Sequence, residues 1–360
     1  MYEMKTIKEF FKYPHYIKCS EKEDLISFHY NEKATFDRMW DDITRSARGI
    51  IFNKKTEEVV ARPWEKFFNL NEMPETHLEY LMTLNKPFYV SKKMDGSLGI
   101  LYNYNEIYCI ATKGSFKSEQ AFYGNEWIHN NLNLNEIDKN YTYLFEIIYP
   151  SNKIVVDYKG KNELVLIGMI HKETGLEVSP SILKENANQI NSECVEFVSF
   201  NTISDIINLT KDLIGEEGFV ITFSNVNGKD LKIKIKGEWY KKLHKIICNL
   251  TPLAYWEVWE IGGIKKEFLE LIPEEFRELS DRLCHAINLV HIKEYEQIKI
   301  VYDNIIKNLE INDIKHFALE CQKNYKENLS VLIAFYKKQT DHIWDQIHKK
   351  IRPTANIMDY

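Results

Sequence analysis

The sequence has no C-x-x-C pair. Its six cysteines are scattered, and none falls at the spacing of a zinc ligand set. Reduced thiols in a cytosolic compartment are the expectation. No apolar run approaches the ~20 residues that span a bilayer. The N-terminal stretch Met1-Tyr2-Glu3-Met4-Lys5 has no apolar signal-peptide core. A cytoplasmic chain without a membrane partner is therefore expected. Positive charge is not in excess: 47 Lys and Arg stand against 53 Asp and Glu, a formal net charge of -6. That excludes a protein that coats nucleic acid through a broad positive field, and confines any RNA contact to local basic patches. Three familiar motifs are absent: G-x-x-x-x-G-K-[ST], G-x-G-x-x-G and H-E-x-x-H. A nucleotide site here would be neither a P-loop nor a dinucleotide crevice. His285, His291, His316, His342 and His348 show no metal-ligand spacing.

What is present is ordinary globular material. The chain has 360 residues, 44% of them hydrophobic, which suggests two domains. Up to about residue 240 short strands alternate with turn signals. The pattern predicts Phe88-Tyr89-Val90-Ser91, Leu98 to Tyr102, Ile107 to Thr112 and Tyr143 to Ile148 as strands. It predicts two hairpins, Ile154 to Tyr158 with Leu164 to Ile170, and Phe219 to Phe223 with Leu231 to Ile235. Helices fit Ser118 to Asn130 and Pro180 to Gln189. After about residue 243 helical periodicity takes over, in Glu274 to Leu309, Ile314 to Tyr325 and Leu329 to Ile351, with Gly262-Gly263 as a local break. The expected fold class is α+β: a domain of antiparallel sheets over residues 1–243, followed by an all-helical domain over residues 244–360.

Four short motifs carry possible chemistry. Lys93-Met94-Asp95-Gly96 is a K-x-D-G turn at a strand end. A lysine is protonated and inert near its ordinary pKa of about 10.4, but neighbouring cations would disfavour the ammonium and free a nucleophile. A hairpin turn with a surface lysine reads as well. Glu146 lies inside the apolar run Leu144-Phe145-Glu146-Ile147-Ile148; buried, it needs a partner, and outward-facing it needs none. Glu217-Gly218-Phe219-Val220 puts a carboxylate where glycine permits close approach, or is a plain loop-to-strand junction. Lys232, Lys234 and Lys236 share one face of a strand, with Ile233 and Ile235 on the other. They could clamp phosphates, or guard an edge strand.

Taken in order along one domain, K-x-D-G, F-E, E-G-x-V and K-x-K resemble the covalent nucleotidyltransferase superfamily of DNA ligases, RNA ligases and capping enzymes. The finer resemblance, over roughly residues 45 to 245, is to the bacteriophage T4 RNA ligase 1 family. It rests on Arg48-Gly49-Ile50, Glu65-Lys66-Phe67-Phe68-Asn69-Leu70-Asn71-Glu72, Lys93 to Leu98, Lys113-Gly114-Ser115, Phe145-Glu146, Asn152-Lys153-Ile154-Val155, Glu217 to Val220, and Lys234-Ile235-Lys236 with Trp239-Tyr240.

The resemblance implies an ATP-dependent RNA ligase. Lys93 would carry AMP, pass it to an RNA 5′-phosphate, and a 3′-hydroxyl would then displace AMP. Glu146 would contact the ribose or a metal-bound water, and Glu217 would serve Mg²⁺ or Mn²⁺. Lys234 and Lys236 would bind the α-phosphate. Arg48, Lys66 and Tyr240 would hold the outer phosphates, with Lys113 a further cation. Asp95 and Gly96 complete the nucleotide-binding turn, and Val220 and Ile167 would sandwich adenine. The implied partner is RNA, a nicked tRNA among the possibilities, bound by a monomer of phage type acting in a host cytoplasm. The alternatives are a DNA ligase or capping guanylyltransferase, both of which usually append an OB-fold barrel, or a catalytically inactive RNA-binding protein. The helical part has 16 Lys and Arg against 18 Asp and Glu. It shows no broad phosphate-binding face, and selection among RNAs is the role the resemblance implies for it.

Overall fold

The structure, a computed structural model, describes residues 5–270, 277–308 and 313–353. Packing divides the chain into two compact units, Met1–Lys242 and Leu243–Tyr360.

In the first unit, β1 (Ile17–Lys22), β2 (Leu25–Tyr30), β3 (Arg48–Asn53) and β4 (Val59–Ala61) form an antiparallel sheet in chain order. The following strands are β5 (Phe68–Asn69), β6 (Phe88–Lys93), β7 (Ser97–Tyr104), β8 (Ile107–Thr112), β9 (Tyr141–Ile148), β10 (Glu163–His171), β11 (Glu193–Cys194), β12 (Phe197–Val198), β13 (Gly218–Val226) and β14 (Lys229–Lys236). They build two five-stranded sheets, ordered β11-β10-β9-β7-β8 and β12-β6-β13-β14-β5. Pairing is antiparallel except for β10 with β11 and β14 with β5. The unit is mixed α+β.

The sheet that holds β6, β13 and β14 shows how residue order makes a site. Its back face is apolar. Val90, Phe219, Ile221, Ile233 and Ile235 are buried there with Ile203 and Ile206 of the helix Ile203–Asp212. Each such side chain stabilises the fold by roughly 1.5–3 kcal/mol. Strand alternation then sends Lys93, Val220, Lys234 and Lys236 to the opposite face. A register slip of one residue would bury the lysines and expose the isoleucines, so packing fixes where the cations stand. In the sheet of β7, β9 and β10, Tyr143, Phe145 and Ile147 enter the core with Leu164 and Leu166, while Glu146 points the other way.

The two expected helices lie within a residue of their predicted bounds, Glu119–Asn131 and Pro180–Gln189. Ser118 and Ser179 cap them by accepting from Ala121 and Ile182 backbone N–H groups. The hairpin expected around Lys159-Gly160 does not form. Residues 153–158 are no strand, because the N–H groups of Val155 and Val156 bond instead to the Asp95 carboxylate. β14 is also no edge strand, since β5 lies outside it. Two strands before residue 45, β1 and β2, were not foreseen. They turn at Glu23, which takes φ +53°.

In the second unit the long helix is Arg277–Asn308; residues 274–276 and 309, expected to belong to it, lie outside the described residues. Gly262 and Gly263, at positive φ, turn the short ribbon β15 (Trp259–Glu260) and β16 (Gly263–Ile264). The stretch Leu329 to Ile351 is two helices, Leu329–Tyr336 and Thr340–Lys350. Lys338 at φ +53° breaks it. Leu332, Phe335, Ile343 and Ile347 thereby share one core with Ile298, Ile305 and Phe317.

Candidate active site

Strand register brings the motifs together. Lys93 at the end of β6 pairs with Gly218 on β13, and Gly218 pairs on its other side with Lys236 of β14. Gly218 sits at φ +142°, and a Cβ there would lie 2.1 Å from the Ile235 carbonyl oxygen. Only glycine fits. Just before it, Glu217 is 2% exposed. Its Oε2 is 2.6 Å from Lys93 Nζ and its Oε1 is 2.9 Å from Lys236 Nζ. One buried carboxylate thus holds two lysines from different strands, which rules out a plain surface junction.

The K-x-D-G turn is held from several directions. A Cβ on Gly96 would come within 2.5 Å of the Ile147 carbonyl oxygen. The Gly96 N–H donates to Glu146 Oε1 at 2.9 Å, so Glu146 faces the turn and not open solvent. Asp95 is 4% exposed. Its Oδ2 accepts from Val155 and Val156 N–H groups, both at 2.8 Å, and its Oδ1 accepts from the Tyr240 hydroxyl at 2.7 Å. The Asp95 N–H donates to the Tyr158 hydroxyl oxygen at 2.7 Å. Lys236 Nζ lies 4.9 Å above the Tyr240 ring. Tyr240, at the opening of the helix Glu238–Asn249, therefore ties its hydroxyl to the turn, a bond that the resemblance did not imply.

Around this turn the cations Arg48, Lys66, Lys93, Lys234 and Lys236 outnumber the carboxylates beside them, Glu72, Glu146 and Glu217. Burial pushes the Lys234 ammonium down to about 7, helped by Lys66, Lys93, Lys236 and Arg48. Burial likewise lowers Lys66 and Arg48. The Nη1 of Arg48 is buried with no hydrogen-bond partner. Aromatic rings soften the crowding. Arg48 and Lys234 lie 5.3 and 5.6 Å from the Phe67 ring centroid, and Lys66 and Lys113 lie 5.4 and 4.3 Å from that of Tyr30. Glu146 shifts the other way: burial and, beyond it, the nearby Glu217 charge push its carboxyl up to about 7, against the pull of Lys93. A cation arriving beside Glu146 and an anion arriving beside Lys234 would each reverse a desolvation cost.

Among the described residues no group of three or more His, Cys, Asp or Glu could hold a metal ion. Glu146 and Glu217 are the two carboxylates available. That donor set suits a cation such as Mg²⁺, which takes one or two carboxylates and completes its shell with water and substrate phosphate.

The structure thus gathers Arg48, Lys66, Lys93, Asp95, Gly96, Glu146, Glu217, Lys234, Lys236 and Tyr240. Lys113 stands at their margin on Tyr30. Ile167 and Val220 are half-buried and stand on different sheets, Ile167 at a bulge in β10 and Val220 opposite Ser91 and Lys234. Lys232 is engaged elsewhere, 2.6 Å from Glu177 and 4.4 Å from the Trp64 ring centroid. A cavity of about 310 Å³ is lined by Lys93, Met94, Tyr158, Val165 and Glu217. A second of about 310 Å³ is lined by Trp64, Lys66, Phe67, Glu177 and Lys232, and by neither Lys93 nor the two site glutamates. Sequence reasoning missed Tyr30, Phe67 and Tyr158. Tyr30 meets Lys66 and Lys113 only through the fold, and Phe67, inside a run that carries the resemblance, was given no role of its own. The third lies in a segment that reads as a strand.

Residues 46–240, more than half of the chain, match the RNA ligase family model of the T4 ligase 1 type, and the chain belongs to that family. A candidate RNA ligase of Thermovibrio ammonificans is 30% identical over 64% of this chain and 60% of its own. An RNA ligase of Rhodothermus phage RM378 is 26% identical over 66% of this chain and 67% of its own. The chain thus spans about two thirds or less of the length of these relatives. A solved structure of a Naegleria gruberi RNA ligase variant with ATP and Mn overlaps 46% of this chain and 53% of its own, at a TM-score of 0.36 and 16% identity; an overlap that loose says nothing of the site.

Proposed function

We propose that this chain is an ATP-dependent RNA ligase that forms a phosphoric-ester bond between RNA ends, by way of AMP carried on Lys93. What carries the reading is the cluster itself. Lys93 is tied to Glu217, and around it Lys234, Arg48 and Lys66 are partly buried at a desolvation cost that an anion such as a triphosphate would offset.

In the first step the Lys93 amine attacks the α-phosphorus of ATP. An N–P bond forms, the bond to the bridging oxygen breaks, and pyrophosphate leaves. Glu217 Oε2, 2.6 Å from Nζ, is placed to accept the proton that the amine must lose. Lys234, poised near neutrality, regains its full charge as phosphate approaches, and with Lys236 stabilises the charge that develops on the phosphoryl oxygens. Arg48 and Lys66 take the outer phosphates, with Lys113 beside them. Val220 and Ile167 are proposed to receive adenine. Glu146 and Glu217 would hold Mg²⁺ or Mn²⁺, directly or through water, which offsets triphosphate charge. AMP then passes from Lys93 to an RNA 5′-phosphate, and a 3′-hydroxyl displaces it to seal the ends. Repair of broken RNA, a nicked tRNA included, is the proposed use. Selection among RNAs is assigned to the helical part after residue 243, and comparing the RNA preference of residues 1–243 with that of the whole chain tests this; identical preference would remove that role.

The test of the central reading is incubation with α-labelled ATP and Mg²⁺, followed by a denaturing gel. The parent chain is expected to take the label and Lys93→Ala to take none. Labelling by GTP instead would indicate a capping enzyme, and an unlabelled parent would sink the proposal. Sealing of 5′-phosphorylated RNA against DNA then decides the polymer.

A further inference from the structure

Lys93 has a long side chain, and β6 ends at its backbone. The ladder resumes only at Ser97, and in between Glu146 holds the Gly96 N–H and Tyr240 the Asp95 carboxylate. A short segment between β9 and β10, residues 152–158, also holds the K-x-D-G turn and lies across it like a strap. At one end Asn152 Nδ2 donates to the Ile147 carbonyl at 2.9 Å and to Ser97 Oγ at 3.1 Å. In the middle Val155 and Val156 give their N–H groups to Asp95 Oδ2. At the far end the Tyr158 hydroxyl oxygen accepts the Asp95 N–H at 2.7 Å. The Tyr158 ring packs against the core cluster that includes Phe145 and Ile147, and the residue lines the same cavity as Lys93 and Glu217.

A strand hairpin here would have satisfied these N–H groups with ladder bonds. The segment gives up that arrangement and spends its donors and one hydroxyl on Asp95, two residues after the nucleophile. We infer that Tyr158 is a positioning residue: through its bond to the Asp95 backbone it sets the direction from which the Lys93 amine meets the α-phosphorus. The inference rests on the function proposed above. It follows from how steeply group transfer depends on alignment, where about 1 Å of misplacement can cost on the order of a hundredfold.

Tyr158→Phe tests it, because the ring stays in the core and only the hydroxyl is lost. Two rates are read on the same full-length protein: AMP labelling from ATP, which needs Lys93, and sealing of an RNA supplied already adenylylated at its 5′ end, which does not. The expected result is labelling slowed about five- to tenfold, the worth of one hydrogen bond, with the apparent KM for ATP and the sealing rate unchanged within about twofold. Partial loss of fold would slow both rates together, and that outcome overturns the inference, as does labelling at the parent rate. Asn152→Ala, which cuts the strap at its other end, is the second variant and should show the same split. A parent that labels beside variants that label equally sinks this inference alone. A parent that takes no AMP sinks the proposed function and this inference with it.

Discussion

Each unit of the molecule buries a cluster of polar side chains, and the two clusters are built on opposite plans. In the second unit every group named is satisfied from within. Trp259 stacks on His291 with ring centroids 3.7 Å apart, and Trp256 on His348 at 4.3 Å. The indole N–H groups donate to Asn288 Oδ1 and the His348 carbonyl. His291 Nδ1 lies 2.8 Å from the Ile287 carbonyl, so it carries the proton, and its Nε2 must accept from His348 Nδ1 at 3.0 Å. Burial drives His291 down to about 4 and lowers His348 as well, so both lean toward the neutral ring. In the first unit the groups lean away from their ordinary charge states because burial outweighs the partners they have: Lys234 falls to about 7, Glu146 rises to about 7, and Arg48 keeps an unbonded Nη1. A complete polar cluster holds a fold together. An incomplete one, rich in one sign of charge, marks where a ligand of the other sign belongs.

Substitution should separate the two plans. The largest effect is expected at Lys234→Met. AMP labelling should fall about 10²- to 10³-fold, the size of losing one charged stabiliser of a transition state, while thermal stability stays level or rises, because an uncompensated buried amine has gone. A variant that labels normally but melts early would place Lys234 among the structural cations and break the comparison.

The next effect belongs to His291 and acid. Its folded pKa, about 4, lies below the ordinary value of 6.5. The unfolded chain therefore binds the proton first, and stability present above pH 6.5 is lost as pH falls toward 4, by about 3 kcal/mol at full development. Urea melts of the second unit's tryptophan fluorescence across that window should show the loss. His291→Phe should start less stable and show a flatter acid limb. Lys234 runs over a different range: its desolvation cost is fully present below pH 7 and relieved toward 10.5, so Lys234 and His291 respond in separate windows. An acid limb that survives in His291→Phe would assign the titration to another group.

How much of this was legible beforehand follows the same division. The lysine row of β14 was visible because a strand repeats every two residues and isoleucines alternate with lysines. Glu217 and Lys93 could be singled out because a glycine that a close backbone approach requires follows each, Gly218 directly and Gly96 three residues on. That Glu217 would hold both Lys93 and Lys236 was not visible, since it depends on the register of three strands brought together from residues 93, 218 and 236. Residues 154–158 read as a strand because their apolar content says so, and only a buried aspartate elsewhere diverts their N–H groups. In the helical part, His291 and His348 are 57 residues apart, and no spacing rule links them. The break at Lys338 carries no glycine or proline to announce it.

The smallest effect sharpens what closes the second cluster. Arg352 lies over the outer face of the stack, its guanidinium 5.3 Å from the Trp256 ring centroid, and it is exposed. An exposed cation–π contact is worth about 0.5–1 kcal/mol, so Arg352→Ala should lower stability by no more than that. A guanidinium keeps its charge throughout the pH range in question, so the loss should be the same at pH 4 and pH 7. The acid limb set by His291 should shift downward without changing shape. If Arg352→Ala instead changed the limb itself, the stack would be open at that end. The charge of Arg352 would then be holding the histidines neutral, and the second cluster would depend on a group outside itself.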